Sequence, residues 1–217
     1  MSRYIKCLAL VAMVGLIGGL IGLALCGGIG GAAAAKPVAT ASIPRPASGP
    51  RIWYRAGHYP RLTLPDGRQK TVRSVLNIIK PMHFGNFVWN DKHIPQGPVW
   101  VRIDLARQLL SVFRDGHEIG SAVILYGTDG KPTPTGEFNI LAKDADHHSS
   151  TYGDAPMPYM LRLTKDGVAI HGSNVREGWA THGCIGVPLD FARKLFSVAR
   201  KGDLVIILPA RAQAGKA

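Results

Sequence analysis

Cys184 stands two residues after His182 and thirteen after His171, in the segments Ile170-His171-Gly172-Ser173 and Thr181-His182-Gly183-Cys184-Ile185-Gly186-Val187-Pro188. A thiolate, not a thiol, is the nucleophile, and a nearby imidazole is its usual activator. His171 and His182 are both candidates for that role. Gly172 and Gly183 remove side chains beside them, so backbone can approach a substrate and N–H groups can converge on an oxyanion. Two other readings compete. A lone cysteine in an apolar stretch is often a small buried hydrophobe. A zinc site on His171, His182 and Cys184 is conceivable, but the close paired-ligand spacing of such sites is missing.

The elements around these residues read as mostly β. Val99, Val101, Ile103 and Leu105 alternate with Trp100, Arg102 and Asp104, a period of two. Residues 108–114 and 118–125 flank Asp115-Gly116, and 159–164 and 168–172 flank Asp166-Gly167, both hairpin turn signals. Residues 136–141 and 203–208 are further strands. One clear helix is expected over 189–200, with Phe191, Leu195, Phe196 and Ala199 at helical spacing and Pro188 at its start. A short amphipathic helix is expected over 71–80, from Val72, Val75, Leu76 and Ile79, stopped by Pro81.

Charge and hydropathy divide the chain. It has 217 residues and a formal net charge of +12, but residues 98–209 carry twelve basic and twelve acidic side chains, so the surplus lies in the flanks. A nucleic-acid enzyme is expected to carry its basic face on the folded domain, which argues against that class. A basic tether beside an apolar segment fits an anionic envelope surface. Arg3 and Lys6 precede an uncharged apolar run that reaches Ala35. This reads as an export or membrane segment, either a signal anchor or a signal peptide cleaved near Ala32–Ala35. Either places the rest of the chain on the extracytoplasmic, periplasmic side of the membrane, in the cell envelope. Cys7 and Cys26 lie in that segment, which leaves Cys184 as the only exported thiol. The expected organisation is a membrane or signal segment over 1–35, a Pro/Arg-rich linker and N-terminal extension over 36–97, a catalytic domain over 98–209 and a basic tail over 210–217.

His171-Gly172 followed by Thr181-His182-Gly183-Cys184 resembles the signature of the YkuD-like L,D-transpeptidase catalytic domain family. Thr133-Pro134-Thr135-Gly136-Glu137-Phe138 resembles that family's T-P-x-G-x-F turn and strand, and the opening strands are similar too. The resemblance covers about 98–208. It implies a mainly β, sandwich-like fold with one packed helix after the nucleophile loop. It implies Cys184 as nucleophile, His171 as general base oriented by the Gly172 carbonyl, and an oxyanion hole from the N–H groups of His182, Gly183 and Cys184. Thr181 and His182 would support the loop. The family works on peptidoglycan stem peptides: a thioester forms with release of D-alanine, and an amine on a second stem resolves it to a 3→3 cross-link. Water instead gives L,D-carboxypeptidase activity. No metal or organic cofactor is implied. Many members carry Arg or Asn at the second residue after the cysteine, where this chain has Gly186, which puts the usual donor-binding contact in doubt. Arg162, Arg176 or Lys165 are the candidate substitutes, against the alternative that all three are simply solvated at the surface.

Residues 146–159 read as a long loop before the second hairpin. His148, Met157 and Tyr159 are expected to line the substrate cleft, against the alternative that Met157 and Tyr159 are core and His148 is solvated. Trp179 is expected to cover the site or staple its loop. His58, His83, His93 and His117 show no partner pattern and are expected at the surface. A papain-like peptidase is opposed by chain order, because His171 precedes Cys184. A catalytically silent wall-binding module remains the alternative from another class.

Overall fold

The computed structural model describes residues 49–64 and 66–210. The membrane or signal segment, the first part of the linker and all but the first residue of the basic tail lie outside the described residues. Among the described residues, no helix is long and apolar enough to cross a membrane.

Fourteen strands and one helix follow each other along the described chain. The extension supplies β1 (Arg51–Trp53), β2 (Arg61–Thr63), β3 (Gln69–Thr71), β4 (Ser74–Leu76) and β5 (Phe87–Trp89). Then come β6 (Val99–Asp104), β7 (Leu109–Arg114), β8 (His117–Val123), β9 (Gly136–Asn139), β10 (Ala142–His148), β11 (Pro156–Arg162), β12 (Ala169–Ser173) and β13 (Ile185–Pro188). Helix α1 (Leu189–Val198) and β14 (Leu204–Leu208) close the domain. The larger sheet runs β1-β4-β8-β7-β6-β14-β9, with β5 also on β8; a second sheet runs β10-β11-β12-β13; β2 and β3 form a separate hairpin.

The period-two pattern of β6 becomes two buried faces. Val99, Val101 and Ile103 enter the main core with Leu110, Val112 and Ile119. Trp100 faces the other way and stacks on Phe113, with ring centroids 4.0 Å apart. Leu62 and Leu64 cover that pair, so the β2–β3 segment lies over apolar surface that would otherwise face water. At the β7–β8 turn, Asp115 and Gly116 both take positive φ (48° and 77°), the backbone hand that matches the twist of a two-residue hairpin. Helix α1 buries Phe191, Ala192 and Leu195 and packs on β11, β12, β13 and β8, so it touches both sheets. Leu125 and Gly186 exchange two backbone hydrogen bonds (2.9 and 3.0 Å), which tie the two sheets together.

Three expectations are corrected. Residues 71–80 are not a helix. Thr71 ends β3 and 74–76 form β4, which pairs antiparallel with β1 and meets β8 at Ser74–His117. The β-branched side chains of this segment tolerate extension, and pairing at a sheet edge outweighs a weak helical periodicity. Ile79, expected on the apolar face, is exposed. Within the stretch expected as linker and extension, Arg51–Trp53 is not linker, since it pairs into the large sheet. His117 is not a surface residue: it is buried, its Nδ1 lies 2.8 Å from the Ser74 hydroxyl, and Trp53 packs edge-on to its ring.

Candidate functional site

The residues singled out by chemistry lie on neighbouring segments at the edge of the smaller sheet, although His171 is not among the residues that line the Cys184 cavity. Strands β12 and β13 are parallel partners, with Ile170 beside Ile185 and His171 beside Gly186. Cys184 is the residue immediately before β13, so it enters the sheet next to the strand that carries His171. A β-strand alternates its faces. Ile170 therefore enters the core while His171 turns to the opposite face, where it is half-buried.

His171 Nδ1 lies 2.9 Å from the Gly172 carbonyl oxygen. That acceptor fixes the proton on Nδ1 and leaves Nε2 as a lone-pair acceptor. Burial holds the imidazole below its ordinary pKa; the Gly172 carbonyl opposes this and His147 adds to it. The ring is thus neutral at neutral pH. Gly172 has a steric reason to be glycine, because a Cβ there would stand 2.9 Å from Leu189 Cδ1 and 3.2 Å from Pro158 Cγ.

Cys184 is half-buried, and its thiol donates to the Gly167 carbonyl at 3.7 Å. Burial raises the thiol pKa; the Ala169 N–H opposes this and Asp166 adds to it. Burial thus favours the uncharged form of both the thiol and the imidazole. The loop before the thiol is tied by two threonines. Thr181 Oγ1 donates to the Cys184 carbonyl (2.5 Å), and Thr181 N–H donates to the Tyr126 carbonyl (3.0 Å). Buried Thr133 Oγ1 accepts from Gly127 N–H (2.9 Å) and donates to the Gly183 carbonyl (3.0 Å). Gly183 takes φ +105°, a conformation that disfavours any side chain.

The cavity at Cys184 measures about 370 Å³. Its walls include His182, Gly183, Met157, His147, Arg162 and Lys165. Tyr152 stacks on His182 with centroids 4.5 Å apart, so the β10–β11 turn folds over the mouth. Of the expected cleft residues, Met157 does line the cavity. His148 does not: it is exposed and faces Asp154 at 3.3 Å, and its neighbour His147 takes the inward position. Tyr159 does not either, since its ring packs edge-on against Phe196 on the core. The supposed loop over 146–159 is mostly hairpin, with β10 and β11 in register from Ala142–Arg162 to His148–Pro156. Strand alternation therefore decides which side chains face the thiol. Trp179 is exposed with Arg176 over its ring and lies outside the cavity. Thr133 belongs to a motif that the sequence displays, but its link to Gly183 spans fifty positions. Among the described residues no group of three or more His, Cys, Asp or Glu is placed to hold a metal ion.

The YkuD family, described as the L,D-transpeptidase catalytic domain, matches residues 98–207. The chain belongs to this family. Similar solved structures include an L,D-transpeptidase from Stackebrandtia nassauensis (27% identity, TM-score 0.49, covering 54% of this chain and 58% of that one). They also include the C442S mutant of an Enterococcus faecium L,D-transpeptidase (26%, 0.47, 52% and 50%) and an L,D-transpeptidase from Mycobacterium smegmatis (24%, 0.47, 51% and 58%). The chain thus spans about half to three-fifths of the length of these proteins. Among curated proteins, none matches.

Proposed function

We propose that this protein is a peptidoglycan L,D-transpeptidase acting in the cell envelope, on the extracytoplasmic side of the membrane to which its N-terminal segment targets it. The observation that carries this reading is the placement, within the family's catalytic domain, of a carbonyl-oriented His171 on β12 and of the Cys184 thiol on the residue that leads into its parallel partner β13. His171 is the general base. Its Nε2 takes the thiol proton as Sγ attacks the carbonyl of the third stem residue. A thiol has one proton, so Cys184 must give up its bond to the Gly167 carbonyl as it turns to the imidazole. The tetrahedral oxyanion is met by backbone N–H groups of His182, Gly183 and Cys184. Collapse forms the thioester; D-alanine leaves as the amine and takes the proton from His171. An amine of a second stem then attacks the thioester, loses a proton to His171, and the thiol is restored with a 3→3 cross-link. No step calls for a metal or organic cofactor. With water in place of the amine, the same site is an L,D-carboxypeptidase.

The test is intact mass of the full-length protein after incubation with a disaccharide-tetrapeptide and, separately, with a carbapenem. The expected result is a covalent adduct on wild type, with D-alanine release from the muropeptide, and no adduct on Cys184→Ala. A folded wild-type protein with a titratable thiol and no adduct from either compound would favour the silent wall-binding module.

A further inference from the structure

Three cations and one carboxylate line the cavity that holds the thiol. Lys131, Arg162 and Lys165 all line the Cys184 cavity. None of them forms an ion pair among the described residues, whereas Arg68, Arg73, Arg102, Arg107, Arg114 and Arg193 each do. The one acidic side chain on the cavity wall is Asp166. The three come from separate places: Lys131 from the turn before Thr133, Arg162 from the end of β11, Lys165 from the β11–β12 turn. Like charges gathered at one small cavity repel, and an anion between them relieves that repulsion. Arg162 is half-buried, where the effective dielectric is lower and a charge-assisted contact is stronger.

The cavity on the other side of β12 makes the contrast. It measures about 650 Å³, lies beside Gly172, and is walled by Pro156, Pro158, Val175 and Leu189 with no charged side chain. Of these two cavities, only the one at the thiol carries charged side chains. Position 186 cannot contribute there. A Cβ on Gly186 would stand 2.9 Å from Ser173 Cβ, so a side chain at this position would have to displace Ser173. A group that recognises a substrate anion beside Cys184 has to come from another element.

We infer that Lys131, Arg162 and Lys165 form a carboxylate-recognition wall that selects acyl donors whose stem carboxylates are free rather than amidated, with Arg162 as the central contact through its two-pronged guanidinium. This rests on the transpeptidase reading for the identity of the donor. It makes the three residues specificity determinants, not catalytic groups.

The experiment separates binding from chemistry by measuring dissociation constants in the full-length Cys184→Ala background, which cannot turn over. Three disaccharide-tetrapeptides are compared: one with free carboxylates, one amidated at the third-residue side-chain carboxylate, and one amidated at the terminal D-alanine. The expected result is at least tenfold tighter binding of the free donor than of one or both amides, and the identity of the weaker amide assigns the carboxylate. Arg162→Gln removes that preference, Arg162→Lys keeps part of it, and Lys131→Gln and Lys165→Gln each reduce it about threefold. In the wild-type background the same substitution raises KM and leaves kcat and the alkylation rate of Cys184 by neutral iodoacetamide unchanged, which shows that the fold and thiol are intact. Equal affinities for all three donors, or a preference that survives the triple Gln variant, overturns the proposal. Failure of the transpeptidase reading registers separately, as absence of acylation in a wild-type protein that still discriminates the donors.

Discussion

The Arg51 cluster on the larger sheet and the Cys184 cavity beside the smaller one use polarity in opposite ways. On the larger sheet, the polar groups around Arg51 are buried and satisfied, while Arg114 Nε is buried without a hydrogen-bond partner among the described residues. Arg51 donates to Ser74 Oγ (3.0 Å) and to the carbonyls of Glu118 (2.5 Å) and Asn90 (2.6 Å), and Leu76 N–H donates to the Glu118 carboxylate (2.9 Å). This network fastens the extension to β8, and nothing in it faces the thiol. At the cavity beside the smaller sheet, Lys131, Arg162 and Lys165 stand without ion pairs among the described residues, and the thiol and imidazole are only half-buried. Satisfied groups hold a structure; unsatisfied ones around a cavity are available to a ligand. The molecule keeps these two uses on different sheets, joined by α1 and by the Leu125–Gly186 pair.

The comparison breaks first at the shared element. Phe191 is fully buried and meets Phe87 and Trp89 of the large-sheet side edge-on (centroids 5.8 and 5.5 Å). Phe191→Ala is expected to cost about 3–5 kcal/mol of stability and to abolish activity with it, because it undoes the packing between sheets. Chemical denaturation followed by a D-alanine release assay checks this; a stability loss with full activity at the same temperature would mean the sheets are independent.

Arg51→Ala sharpens the contrast. It takes the donor from the Glu118 and Asn90 carbonyls and strips the cation from beside Glu118, at a cost of about 2–4 kcal/mol. Activity per folded molecule should stay at wild-type level, measured well below the melting temperature. An equal fall in kcat would show that the extension reaches the site.

Thr133→Val is the counterpart on the site side. It removes two buried hydrogen bonds that bind the Gly127 and Gly183 backbones, costing about 1–3 kcal/mol. Its kcat should fall about tenfold or more, since loop geometry sets the oxyanion N–H groups. A stability loss with unchanged kcat would make Thr133 purely structural.

The smallest effect is in pH. The His171 imidazole is neutral where an ordinary histidine is already half protonated, because its pKa is lowered by burial. A general base works in its neutral form, so the acid limb of kcat/KM should fall below pH ~6.5. The Cys184 pKa is raised, so its alkylation by iodoacetamide should climb with a midpoint above the ordinary cysteine value. A pH profile of each rate checks both. An acid limb at or above the ordinary histidine value would mean that the site protonates as a solvent-exposed imidazole does.

Local chemistry was written in the chain. The thiol, the two histidines and their glycines could be assigned from residue type and spacing, and the strands of 98–125 and the helix after Pro188 from periodicity and turn residues. These signals are short-range and need no partner to be recognised. Pairing and facing were decided elsewhere. Segment 71–80 became strand because β1 and β8 offered it backbone partners. His147 rather than His148 faces the thiol because β10 has one register against β11, and a single-residue shift exchanges the two faces. Thr133 reaches Gly183, and Arg51 reaches Glu118, across fifty and sixty-seven positions. Such contacts exist only once the sheets close, because a hydrogen bond between distant residues leaves no periodic mark on either segment. Sequence alone thus determined which groups can react; tertiary structure decided which of them meet, and which charges were left unpaired beside them.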